Sequence, residues 1–300
     1  MTTRTATVGG TTAVSLTGVT KVYGRGDNAV LALDGVSLDV AAGEFVCLVG
    51  ASGCGKSTLL NLVAGLDQVS SGTVRLAGQP AGPAAGRAVD RDAGQPGDRT
   101  AGKAGDHADE PNGGGSLDLP PIRPGFMFQE PALFPWLTVA DNIGVPLKLR
   151  GLSRAARRTR VAELLETVHL TEFGRRRPHE LSGGMRQRVA LARTLALDTP
   201  VLLMDEPFGA LDAMTRDLLH DELERIWSQR RLSVLFVTHN VREAARLADR
   251  IVLLSSRPGR IIHETRVDVP RPRRIDSPEI AAIAAEVTDR LRTEVGRHGQ

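Results

Sequence analysis

Residues 50 to 57, Gly50-Ala51-Ser52-Gly53-Cys54-Gly55-Lys56-Ser57, place three glycines, a lysine and a hydroxyl at a spacing suited to gripping phosphate. Glycine lets backbone amides approach an anion with no Cβ between them. A helix opening at Ser57-Thr58 would aim further amides and its dipole at the same point. Lys56 supplies a mobile point charge, and Ser57 an oxygen of the kind Mg²⁺ prefers. Chance is a poor account of the lysine, because the chain has four lysines (Lys21, Lys56, Lys103, Lys148) against 34 arginines. Asp205 and Glu206 are a second group: two acids closing the apolar run 201–204, where uncompensated carboxylates are costly without a task. Asp205 is placed to hold a metal's shell and Glu206 to orient and deprotonate a water. His239 closes a third apolar run, 234–237, at the kind of strand end where α/β sheets bind ligands.

These residues need strands and helices to hold them. Phe45-Val46-Cys47-Leu48-Val49 is apolar without alternation, as in a parallel strand covered on both faces. Helical spacing follows through Ala64. Strand, glycine-rich turn, helix is the context that makes 50–57 a phosphate loop. Alternation over 14–17 and 31–40 predicts half-buried antiparallel strands. Between them Tyr23, the single tyrosine, offers either a ring to stack on a nucleotide base or a surface strand aromatic; the adjoining phosphate loop favours stacking. A short strand is expected at 72–78. Residues 79–121 are dominated by Gly, Ala, Pro, Asp and Arg and offer too little apolar surface to offset ordering, so a disordered surface loop is expected. A short strand then ends on Gln129. The aromatic, proline-broken stretch 132–143 reads as a docking groove or as core filling.

Residues 153–197 read as helical, with Ser153 as cap, Val161, Leu164, Leu165 and Val168 as apolar face, and Arg154, Arg157, Arg158 and Arg160 solvated. Ser182, Gly183 and Gly184 open a helix and could form a second anion site, or an ordinary cap. An amphipathic helix follows Asp212, another covers 241–249, and 251–254 is a strand. Asp276-Ser277-Pro278-Glu279 caps a terminal helix striped by Ile280, Ile283, Val287, Leu291 and Val295.

Bulk properties exclude some classes. A net charge of +3, with no basic stripe interleaved with aromatics, gives no support to nucleic-acid binding. Two cysteines, one on the buried strand and one in the phosphate loop, suggest no disulfide and fit a reducing compartment. No stretch has the length of a membrane span.

The order of the phosphate loop, Gln129, Leu181-Ser182-Gly183-Gly184, Asp205-Glu206, Asp212 and His239 resembles the ATP-binding cassette ATPases of ABC transporters over nearly all of 13–262. The segments 128–136 and Ser256-Arg257-Pro258-Gly259-Arg260, with Met185 in the signature, are similar to the nitrate, sulfonate and taurine importer class. The resemblance implies an α/β fold: a P-loop NTPase (RecA-like) core with an N-terminal antiparallel β-subdomain and an inserted α-helical subdomain. The expected division is a disordered 1–12, an ATPase domain at 13–265 whose helical part spans 130–197, and a tail with a helix at 266–300. ATP and Mg²⁺ are implied, with residues 50–58 and Tyr23 on the nucleotide, and Ser57, Gln129 and Asp205 on the metal. Glu206 would be general base, His239 γ-phosphate sensor and Gln129 a further catalytic residue. Two copies would pair head to tail, Ser182, Gly183 and Gly184 of one closing on the phosphate held by the other, with Asp212 linking the sites. The implied partners are integral membrane permease subunits at the cytoplasmic face and, indirectly, a periplasmic or lipid-anchored substrate-binding protein. The alternatives are a soluble cassette without a transport role, or a module that senses ATP without turnover. Asn240 departs from the family's usual aspartate.

Overall fold

The computed structural model describes residues 11–77, 79–80 and 123–298. In chain order the strands and helices are β1 (Thr12–Tyr23), β2 (Val30–Ala41), β3 (Phe45–Val49), α1 (Lys56–Ala64), β4 (Ser71–Leu76), β5 (Gln79–Pro80), β6 (Gly125–Met127), α2 (Val139–Leu149), α3 (Arg154–Thr167), α4 (Gly183–Leu195), β7 (Val201–Asp205), α5 (Ala213–Arg230), β8 (Ser233–Val237), α6 (Val241–Leu247), β9 (Arg250–Leu254), β10 (Ile261–Arg266) and α7 (Pro278–His298). They form an antiparallel sheet ordered β2-β1-β4-β5 and a six-stranded sheet ordered β10-β9-β3-β8-β7-β6. The latter is parallel except for β10, which runs antiparallel on its edge.

The unbroken apolar run of β3 has a direct cause. Successive side chains point to opposite faces of the sheet, and both faces are cores. Phe45, Cys47 and Val49 join Met204, Phe236 and Leu253 in one core with the helices α2 to α7. Val46 and Leu48 join Leu203, Leu235 and Val252 in another, with α1 and the inner face of the antiparallel sheet. One sheet is thereby clamped between two layers, and its strand ends are held in fixed register.

Several expectations are corrected. β1 runs on to Tyr23, with bulges, rather than stopping near Thr17. The strand before Gln129 stops at Met127; Phe128 is exposed and packs on Phe126 at 4.3 Å. The stretch 132–143 is divided between an aromatic surface turn, where Phe134 and Trp136 pack at 5.7 Å, and the start of α2. Val139, Ile143 and Leu147 fill one buried face of α2; Gly144 and Pro146 hid its helical period. The span 153–197 is two helices separated by short 3-10 turns at 171–173 and 178–180. The helix expected over 241–249 ends at Leu247. β10 had no counterpart in the sequence reading, because none of its residues is buried: half-buried and exposed positions alternate along it, leaving no strong apolar face. On α7, Ile280 and Val287 are buried and Ile283 and Leu291 pack on the core, but Val295 is exposed and its neighbour Glu294 is buried. Most of the segment 79–121 and the N-terminal residues 1–10 lie outside the described residues.

Candidate functional site

The phosphate loop leaves β3 at Gly50 and enters α1 through Gly55. Gly55 has φ 101°, and a Cβ there would sit 2.7 Å from Leu33 Cδ2 on β2, so both its dihedral and its packing require glycine. Lys56 is not a free-swinging charge in this structure. Its Nζ donates to Gly50 O and Ala51 O, each at 2.9 Å, and the residue is buried. Neutral carbonyls partner a cation less strongly than an anionic oxygen does, so the ammonium can exchange them for phosphate. Cys54 lies 3.8 Å from that Nζ, and burial raises its thiol pKa against the lowering pull of Lys56. That keeps it protonated, as a small side chain filling the loop rather than a reactive thiolate. Both cysteines are free.

Beside the loop, Ser57 Oγ donates to Asp205 Oδ1 at 3.0 Å, joining the start of α1 to the end of β7 across 148 residues. Burial raises the Asp205 pKa; the Ser57 hydrogen bond and Lys56 oppose the shift and the Glu206 charge adds to it. A desolvated carboxylate next to a hydroxyl is a pair of hard oxygen donors, and the chemistry suits Mg²⁺. Glu206 follows with φ 43°, left-handed and strained for a side chain of its size, and its amide donates to Val237 O at 2.9 Å. This backbone turn aims the carboxylate across to the neighbouring strand, where Glu206 Oε2 lies 2.8 Å from His239 Nδ1. Since β3, β8 and β7 are adjacent in the sheet, their ends gather Lys56, Ser57, His239, Asp205 and Glu206 into one patch.

Behind His239 is a buried network that the sequence reading missed. Thr238 Oγ1 donates to Glu243, Glu243 Oε1 lies 2.6 Å from His220 Nε2, and Arg246 Nη1 lies 3.3 Å from His220 Nδ1. Nothing in the sequence marked it, since Glu243 is one of three charged residues in the seven-residue α6 and reads there as a solvated position. Asn240 keeps a helix-capping role: its Oδ1 accepts from the Arg242 and Glu243 amides.

The remaining candidates lie apart from that patch. Tyr23 is 41% exposed and anchored by its hydroxyl, which donates to Asp67 Oδ2 at 2.9 Å, while Lys21 Nζ donates to Asp67 Oδ1 at 2.6 Å and sits 4.7 Å from the ring centre. Burial works against the Asp67 carboxylate, but the Lys21 and Tyr23 hydrogen bonds outweigh it and hold its pKa down. Asp67 too was missed; nothing in its sequence context marks it. The Gln129 backbone carbonyl accepts from Gln187 Nε2 at 2.9 Å, and among the described residues no hydrogen bond joins its side chain to Ser57 or Asp205. Ser182 caps α4, its Oγ accepting from the Met185 amide at 3.3 Å. Asp212 caps α5, accepting from the Thr215 amide at 3.0 Å, which lowers its pKa. Thr215 packs so closely on Gly184 that a Cβ there would lie 2.2 Å from Thr215 Cγ2. The starts of α4 and α5 therefore sit side by side, but among the described residues no hydrogen bond or ion pair connects 182–184 to 50–57.

A family profile described as ABC transporter matches residues 33–209. The chain is 41% identical over 258 residues to the nitrate import ATP-binding protein of Synechocystis sp., covering 86% of this chain and 83% of that one. It is 40% identical to an aliphatic sulfonates import ATP-binding protein of Bacillus licheniformis (91% and 92% covered) and 43% identical to a taurine import ATP-binding protein of Sinorhizobium fredii (79% and 76%). Among solved structures it resembles a dimeric ATP-binding cassette in a post-hydrolysis state bound to ADP and Pi, with TM-score 0.66, 30% identity, and 86% of this chain and 100% of that one covered.

Proposed function

Because the chain belongs to the ABC transporter family, we propose that it is the ATP-hydrolysing subunit of an importer for a small anion, of the sulfonate, taurine or nitrate kind. Relatives named for import, at 40–43% identity over most of both chains, favour this over a soluble cassette without a transport role. Relatives named as import ATP-binding proteins support a separate permease that carries the solute, with this chain docked on its cytoplasmic face; among the described residues no helix is long and apolar enough to cross a membrane. The exposed Phe128, Phe134 and Trp136 are the surface we assign to that docking. A substrate-binding protein outside the membrane hands the solute over.

The observation that carries the reading is the gathering of Lys56, Ser57, Asp205, Glu206 and His239 at three adjacent strand ends. Residues 50–58 wrap the phosphates, and Lys56 exchanges loop carbonyls for β- and γ-oxygens. Ser57 and Asp205, with Gln129, would hold Mg²⁺, which when bound offsets the negative charge of the phosphate oxygens. Glu206 takes the proton of the attacking water, and His239, tied to it, reports on the γ-phosphate. Tyr23 stacks on the base, held by Asp67. Phosphoryl transfer depends on positioning and charge more than on covalent chemistry, so a centre divided between two chains stays silent until assembled. Ser182, Gly183 and Gly184 of a second copy complete it, and Asp212 joins the two centres.

A Glu206→Gln chain incubated with MgATP is expected to elute as a dimer and the ADP-bound chain as a monomer. Should the blocked chain stay monomeric with nucleotide and permease both present, the shared-centre reading fails. Growth on a sulfonate, taurine or nitrate as sole source, in cells with and without the gene, identifies the solute.

A further inference from the structure

The segment Ser255-Ser256-Arg257-Pro258-Gly259-Arg260 joins β9 to β10, yet it is far more fixed than a hairpin turn needs to be. It is closed on itself: Ser255 Oγ donates to Pro258 O at 2.7 Å and accepts from the Arg260 amide at 2.9 Å. It is tied to the antiparallel sheet, where the Gly259 amide donates to Ala32 O at 2.9 Å, the Asp34 amide donates to Gly259 O at 3.0 Å, and Arg260 pairs with Asp34. It presses on the phosphate loop, since a Cβ on Gly259 would lie 2.2 Å from Cys54 O. Finally, the Ser256 amide donates to Glu294 Oε1 of α7 at 3.3 Å, which gives this buried carboxylate a place in the turn's support.

From this platform Arg257 reaches the outside of the phosphate loop, and its Nη2 donates to Gly53 O at 3.4 Å. Gly53 has φ 74° and is exposed at the loop's tip. In a trans peptide the carbonyl and the following N–H point in opposite directions. A guanidinium holding Gly53 O outward therefore keeps the Cys54 amide facing the loop's interior, where in this structure it donates to Ala51 O at 3.3 Å. Inward-facing amides are what such a loop uses to bind an anion.

We propose that the 255–260 turn braces the phosphate loop, with Arg257 fixing the Gly53–Cys54 peptide in its anion-binding orientation and Glu294 fixing the turn. Arg257 is a positioning residue, acting on nucleotide through the loop. The proposal rests on the assignment of residues 50–57 to the phosphates. It gives the C-terminal helix a role in the affinity of the nucleotide site.

The test is a titration of the full-length chain with a fluorescent ADP analogue and Mg²⁺, alongside steady-state ATPase assays. Arg257→Ala is expected to weaken nucleotide binding about tenfold, the scale of one hydrogen bond to a charged group. KM for ATP should rise with it, while kcat at saturation changes much less. Arg257→Lys, which keeps a donor, should recover part of the loss, and Glu294→Gln should show a smaller loss of the same kind. A general loss of stability would instead lower the active fraction and kcat with KM unchanged, and would overturn the proposal. Wild-type affinity in Arg257→Ala would also overturn it. If Arg257→Ala does not fold, Arg257→Lys and Glu294→Gln decide: unchanged affinity in both counts against the brace. Lys56→Ala, run in parallel, separates the two readings. Lost affinity there with none lost at Arg257 removes the brace alone, and normal affinity there removes the phosphate-loop assignment itself.

Discussion

Two glycine-rich helix starts in this molecule have the same local chemistry and opposite surroundings. At the start of α1, residues 50–57 are flanked by β2, β7 and the 255–260 turn, and they include a buried lysine and a hydroxyl bonded to a carboxylate. At the start of α4, Ser182 and Gly183 are exposed, and the serine's hydrogen bond is spent on its own helix. Both present amides and a helix dipole to an anion. Only the first adds a buried lysine and a hydroxyl–carboxylate pair, whereas the cation beside the second, Arg186, donates to Leu181 O at 2.6 Å. The first can therefore bind a nucleotide within one chain, while the second suits closing over a phosphate already held by another.

That contrast can be broken at four points. Glu206→Gln removes the base and should cut hydrolysis by about a hundredfold or more, as measured by phosphate release, with nucleotide still bound; normal turnover would remove Glu206 from the mechanism. Lys56→Ala should weaken ATP binding by roughly 10- to 100-fold, because a charge-assisted contact is lost; tight binding by calorimetry would make the two helix starts equivalent. Ser182→Ala should cost about 1 kcal/mol of stability through the lost cap and lower turnover severalfold, yet leave ADP affinity of the single chain unchanged. A matching loss of ADP affinity would show that the two starts act on one nucleotide in one chain.

The smallest effect is expected at Asp67→Asn, which loosens Tyr23 and Lys21. A partly exposed ion pair contributes on the order of 1 kcal/mol or less. The Asp67 pKa is lowered in the fold, so its stabilisation is present above about pH 4 and is lost as the pH falls through the lowered value. Thermal melts of both chains should therefore differ at pH 7 and converge in acid. A constant difference across that range would deny the carboxylate its part.

The chemistry was legible because phosphate binding is written locally: glycines, lysine and serine must be consecutive for one loop to surround an anion. The acids at 205 and 206 and His239 were legible as polar residues ending apolar strands. Asp67, Glu243 and His220 were not, since each acts on a partner distant in sequence and none interrupts a pattern. The helix α2 was masked by Gly144 and Pro146, whose cost is offset by the buried Val139, Ile143 and Leu147.

By itself the sequence determined which groups meet a phosphate, because a turn and the helix after it are set by neighbouring residues. Tertiary structure alone decided that Glu206 faces His239 and that Ser57 meets Asp205, because strand order in a sheet is fixed by packing between segments far apart in the chain. It also decided that Lys56 rests on loop carbonyls and that a turn some 200 residues away presses on the loop it serves. Those contacts depend on two cores closing on opposite faces of one sheet, and no stretch of residues carries that information alone.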